Sequence, residues 1–156
     1  MMMTIDEELI AATLEHLRND GDRGVEGAVL WLASGIGTDT KITEVYRPEQ
    51  YASRGNFKIP RQSMSALMRH LRFTSRSIAA QVHSHPGMAF HSSIDDEWAI
   101  VRHEGALSLV IPDFALRTSV ETFVDDTAVF ELSQANVWEE VLPGKVQEKY
   151  RVKKTS

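Results

Sequence analysis

The sequence predicts an α/β domain, and three patterns carry that expectation. Leu9, Ile10, Leu14 and Leu17 fall on one face of a helix that follows a Thr4–Glu7 capping-box spacing. The run Ala28-Val29-Leu30-Trp31-Leu32 is nearly continuously apolar, which suits a strand buried on both faces. Met64, Leu67, Met68 and Leu71 follow the i, i+3, i+4, i+7 spacing of an amphipathic helix whose stripe belongs to the core.

In chain order, the first helix ends at the turn formers Asn19-Asp20-Gly21. A strand follows over 25–33, and after Gly35 and Gly37 a second strand covers 41–46 as its hairpin partner. Residues 48–56 are polar and carry a glycine, so they read as a loop that could rim a substrate groove. A short strand over 57–59 leads to the second helix over 62–74, then a strand over 78–85 broken by Pro86-Gly87. A third helix begins at Ser93, and a strand over 106–111 stops at Pro112. Strands over 119–124 and 127–132 form a hairpin across Asp125-Asp126. Val146, Glu148, Tyr150 and Val152 alternate as in an edge strand, with fraying from Lys153 onward. Without repeats, linkers or compositional shifts, residues 1–156 read as one domain.

The formal net charge of −5 argues against a nucleic-acid binder that tracks phosphates. There are no cysteines, which removes disulfides, a thiolate nucleophile and any sulfur-ligated zinc site. A metal site must then use histidine, carboxylate and water. Met1 to Glu8 lacks the basic segment of a signal peptide, and no apolar run approaches the roughly 20 residues that span a bilayer. A cytoplasmic protein without membrane attachment is expected.

The chemistry concentrates in His83-Ser84-His85-Pro86 and the stretch up to Asp96. Side chains alternate along a strand, so His83 and His85 point the same way, about 7 Å apart along the chain. Two converging imidazoles can share one cation at zinc–nitrogen distances of about 2 Å. Ser93 and Asp96 sit three apart at the start of the next helix, where a carboxylate can swing back towards such a metal. Two histidines and one carboxylate leave a fourth tetrahedral position open, the arrangement of a catalytic zinc. Alone, His-x-His is more often a pair of plain polar residues and Ser-x-x-Asp a helix cap; together at a strand end they favour a metal site.

The run resembles the signature of the JAMM metalloproteases, also called JAB or MPN+: His-x-His-Pro, seven intervening residues, then Ser-x-x-Asp. From His85, Ser93 stands at +8 and Asp96 at +11. The family's upstream glutamate, near the start of an apolar strand, corresponds to Glu26 in Val25-Glu26-Gly27-Ala28. The resemblance covers about residues 4–115. Two departures stand out: Val29 and Ala33 replace glycines common in the family's glutamate strand, and Ser92-Ser93 with Asp95-Asp96 allows a one-residue slip. Family spacing selects Ser93 and Asp96.

What the resemblance implies is specific. His83, His85 and Asp96 would ligate Zn2+, Glu26 would act as general base and then acid, and Ser93 would donate to the oxyanion. Independently of the resemblance, His91 lies six residues past His85 in the loop and reads as a rim or substrate contact rather than a third histidine ligand. The fold would be a JAB/MPN-like, cytidine-deaminase-like sandwich, a mixed and mostly antiparallel sheet flanked by helices. The substrate would be a ubiquitin-like protein conjugate or precursor, as for a deubiquitinase in a bacterial conjugation system. Processing of a sulfur-carrier protein, or a metal-free MPN scaffold, are the alternatives.

Overall fold

The centre of the computed structural model, which describes residues 2–34, 39–52, 57–89, 100 and 103–154, is a mixed sheet of eight strands. Its elements are β1 (Met2–Asp6), α1 (Glu7–Asp22), β2 (Ala28–Ser34), β3 (Asp39–Tyr46), β4 (Tyr51–Ala52), β5 (Phe57–Lys58), α2 (Arg61–Thr74) and β6 (Ser77–Ser84). Then follow β7 (Leu107–Ile111), a 3-10 turn (Asp113–Ala115), α3 (Phe123–Asp126), β8 (Ala128–Leu132), β9 (Trp138–Glu140), a second 3-10 turn (Pro143–Glu148) and β10 (Tyr150–Lys153). The strand order is β10-β1-β3-β2-β6-β7-β8-β9, while β4 and β5 pair apart. β2–β3, β2–β6, β7–β8 and β8–β9 are antiparallel. β1–β10, β1–β3 and β6–β7 are parallel.

β2 has no polar side chain before Ser34, so both of its faces need cover. Val29, Trp31 and Ala33 share one core with Ile10, Leu14 and Leu17 of α1. Leu30 and Leu32 form another with Leu67 of α2, against which Met64 and Leu71 also pack. The two helices therefore lie on opposite faces of β2. Trp31 buries its indole N–H without loss, because it donates to Thr13 Oγ1 at 3.0 Å and that hydroxyl donates to the Leu9 carbonyl.

Several elements differ from the sequence expectation. Thr4 is not a helix cap: Met2–Asp6 is extended, and α1 begins at Glu7 with Asp6 making no side-chain cap bond. Met3 and Ile5 alternate into the core. Burying two such side chains is worth about 3–6 kcal/mol, against about 1 kcal/mol for a cap. Residues 119–122 form a turn rather than a strand. Ser119 and Thr122 bond each other's backbone N–H through their hydroxyls, and α3 then drives Phe123 against Trp31. Val146 and Glu148 belong to a 3-10 turn, and the edge strand is confined to β10, which includes Lys153. Tyr51–Ala52 pairs with Phe57–Lys58 inside the stretch read as loop. Among the described residues, no helix is long and apolar enough to cross a membrane.

Candidate metal centre

β2 and β6 meet so that the start of one lies beside the end of the other. Their register pairs Ala28 with His83. One step further, Ser84 takes up both backbone groups of Gly27: Ser84 N–H donates to the Gly27 carbonyl at 3.0 Å, and Gly27 N–H donates to Ser84 Oγ at 3.1 Å. The next step brings Glu26 to His85, with 3.8 Å between Oε1 and Nε2. Val82 packs in the core shared with α1, so strand alternation turns His83 and His85 to the other face. Their ring centroids lie 5.1 Å apart.

All three side chains are buried: Glu26 is 2%, His83 1% and His85 5% exposed. A carboxylate withdrawn from water to this degree needs a compensating positive charge or dense hydrogen bonding. Two adjacent imidazoles can meet that need as imidazolium or through a shared cation.

The backbone of His85 is held on both sides. Its N–H donates to the Ile111 carbonyl at 2.9 Å, and its carbonyl accepts from Phe114 N–H at 2.7 Å. Asp113, Phe114 and Ala115 have φ of 54°, 54° and 61°, three consecutive left-handed residues without a glycine. Such a turn costs about 1–2 kcal/mol per residue and persists only under external support. Arg18 supplies it, with Nε donating to the Ala115 carbonyl at 3.0 Å and Nη2 to Thr118. Gly21 supplies the room: a Cβ there would lie 2.6 Å from Phe114 Cβ.

The approach to Glu26 is fixed by Asp20, 1% exposed, which bonds Arg47 Nη2 at 2.7 Å and also Arg23. Its carbonyl accepts from Arg23 and Val25 N–H. Gly27 passes so close that a Cβ there would overlap Asp20 Oδ2.

Of the residues singled out in the sequence, the structure brings Glu26, His83 and His85 together. Ser93, Asp96, the alternatives Ser92 and Asp95, and His91 lie outside the described residues. Among the described residues, no group of three His, Asp or Glu is arranged to hold a metal. His83 and His85 nonetheless suit one, as two neighbouring imidazole donors beside a carboxylate in a cysteine-free chain.

Three supporting residues escape the sequence reading. Ser84 looks there like a mere spacer between histidines. Gln81, 2% exposed, accepts from Ile100 N–H at 2.9 Å and donates to Ser108 Oγ at 3.1 Å, tying the chain beyond residues 90–99 to the histidine strand. Gln50 lies in the supposed rim loop, yet its amide bonds the backbone of Ala28. The legible signal is Gln81, an amide between Ala80 and Val82 on a strand that runs into the core, since buried amides need partners.

Two buried imidazoles beside a buried carboxylate are donor types that a metal takes, and the chain belongs to a metalloprotease family. It is 32% identical over 117 residues to the probable metalloprotease y4jG of Sinorhizobium fredii, covering 72% of each chain. Membership implies a bound metal. No family model matches the sequence. In fold, the chain is similar to protein DSY2949 of Desulfitobacterium hafniense, whose solution structure superposes with a TM-score of 0.71 at 18% identity, over 99% of this chain and 94% of that one.

Proposed function

We propose that the chain is a zinc peptidase of the JAMM (JAB, MPN+) type, with that family's sandwich fold, acting on ubiquitin-like conjugates or precursors. The observation that carries this is the placement of Glu26 opposite His85, with His83 alongside, at the meeting of two buried strands. The order of a glutamate, His-x-His-Pro and Ser-x-x-Asp along the chain supports it.

His83 and His85 would hold the zinc, with Asp96 as third ligand. When bound, zinc supplies Lewis acidity that brings the pKa of water down to about 7. Glu26 takes the proton of the attacking water and delivers it to the departing amine. Ser93 donates a hydrogen bond to the oxygen on which negative charge develops. Ser84, through Gly27, keeps the base against the histidines.

The test combines metal analysis of the purified chain with incubation of the zinc-loaded protein. The substrates are a linear ubiquitin-like fusion and an isopeptide-linked conjugate. One bound zinc per chain is expected, with cleavage after the C-terminal glycine that Glu26→Gln abolishes. A chain without affinity for zinc would sink the proposal, and zinc binding without cleavage of either bond type would sink its substrate class.

A further inference from the structure

β3 leaves the glutamate strand one pair too early. The β2–β3 ladder pairs Leu30 with Tyr46, and continuing that register by two residues on each strand would set Pro48 opposite Ala28. Proline carries no N–H, so it cannot donate a ladder bond there. Ala28 is two residues from Glu26, and a strand end held from the β6 side alone would let the base drift.

The Gln50 side chain fills this gap. Its Oε1 accepts from Ala28 N–H at 2.8 Å, and its Nε2 donates to the Ala28 carbonyl at 3.0 Å. A carboxamide has the same donor and acceptor as a peptide group, so this pair of bonds reproduces a hydrogen-bonded antiparallel pair. The second Nε2 hydrogen goes to the Pro48 carbonyl at 2.8 Å, fixing the amide to its own segment. Pro48 itself is buried. On the opposite side, Ser84 holds Gly27 by two bonds. Of the two residues after Glu26, Gly27 is thus held from β6 and Ala28 from the segment that follows β3, the latter by a side chain alone.

We infer that Gln50 is a positioning residue for Glu26: its amide replaces the strand partner that Pro48 cannot be, and so fixes where the Glu26 carboxylate stands relative to His85. The catalytic part of this inference rests on the function proposed above. The clamp itself does not.

Gln50→Met tests it, because methionine keeps the volume and stem of glutamine but neither hydrogen bond; Gln50→Ala serves only as a comparison, since it also leaves a hole. In the full zinc-loaded chain, the Ala28 amide should exchange with solvent about tenfold faster or more in Gln50→Met, while Trp31 and Leu32, deeper in β2, keep their rates. Cleavage of the ubiquitin-like fusion should lose about 10–100-fold in kcat, the scale of a small misplacement of a reacting group, with KM and zinc affinity within about twofold. An unchanged Ala28 amide would overturn the clamp. Faster exchange with unchanged kcat would overturn the positioning role, as would zinc affinity falling in step with turnover. Turnover that survives Glu26→Gln, or no cleavage at all, would instead overturn the proposed function, and the clamp is then decided by the Ala28 amide alone.

Discussion

Glu26 Oε1 stands 3.8 Å from His85 Nε2, and between these two residues' strands run the paired bonds of Gly27 and Ser84. The separation is too long for a hydrogen bond and short enough for a shared ligand or water to touch both. It is set by backbone register rather than by loop conformation, so side-chain changes here should alter chemistry without dissolving the fold.

Glu26→Gln should leave zinc content unchanged while kcat falls by at least about 10²-fold, because an amide cannot accept the proton. Metal analysis alongside turnover checks it. Activity within tenfold of the parent would mean another base.

Asp96→Ala should lose zinc, and Asp95→Ala should keep it. Equilibrium zinc titration of both variants decides the register, and the reverse pattern would shift both motif residues back by one. Ser93→Ala should keep zinc and lose about 10²–10³-fold in kcat, the usual effect of one oxyanion donor.

Removing metal with a chelator should abolish turnover and lower the unfolding temperature, and added zinc should restore both. Binding at 100 times Kd stabilises the native state by about 2.7 kcal/mol. Scanning calorimetry with and without chelator reads the shift. His83→Ala should be blind to chelator in the same measurement.

Gly27→Ala should lower stability by about 1–3 kcal/mol, the range for an overpacked interior site. The new methyl would overlap the buried Asp20 carboxylate, which bonds Arg47 and Arg23. Because the displaced residue adjoins Glu26, turnover measured well below the unfolding temperature should also fall. Full activity with full stability would contradict the close approach.

Tyr150 makes stability depend on alkaline pH. It is 1% exposed, and burial, with a smaller contribution from Asp125, holds its phenol well above the usual value of 10.0. The folded state then keeps a proton that the unfolded state releases. Its contribution is fully present below pH 10 and is lost as pH rises above that, by about 1.4 kcal/mol per unit. Denaturant titrations at pH 9 to 11 should show the decline, and Tyr150→Phe should flatten it. Among the described residues the hydroxyl has no hydrogen-bond partner. The phenylalanine variant should therefore match the parent near pH 7 to within about 1 kcal/mol.

What is legible in the chain is local. Heptad-like spacing in α1 and α2 announces helices because only a 3.6-residue period puts Ile10, Leu14 and Leu17, or Met64, Leu67 and Leu71, on one face. The run Ala28–Leu32 announces a buried strand because no polar side chain interrupts it. His83 and His85 are readable as neighbours because strand alternation alone aligns them. β1 is hidden, since Met2–Asp6 has a strand's alternation but also a cap's spacing, and its strand partners are β3 and, from the far end of the chain, β10. α3 is hidden for a similar reason: Val120, Thr122 and Val124 alternate like a strand, and only the space beside Trp31 turns Phe123 inward.

Which residue types can do chemistry, and which segments must be buried, follow from the chain alone, because periodicity and composition act over a few residues. The meeting of Glu26 with His85 does not. It depends on the register of β2 against β6, sealed by a Gly27–Ser84 bond that spans 57 positions of chain, and pairing at that range is decided only when the two strands share one buried sheet.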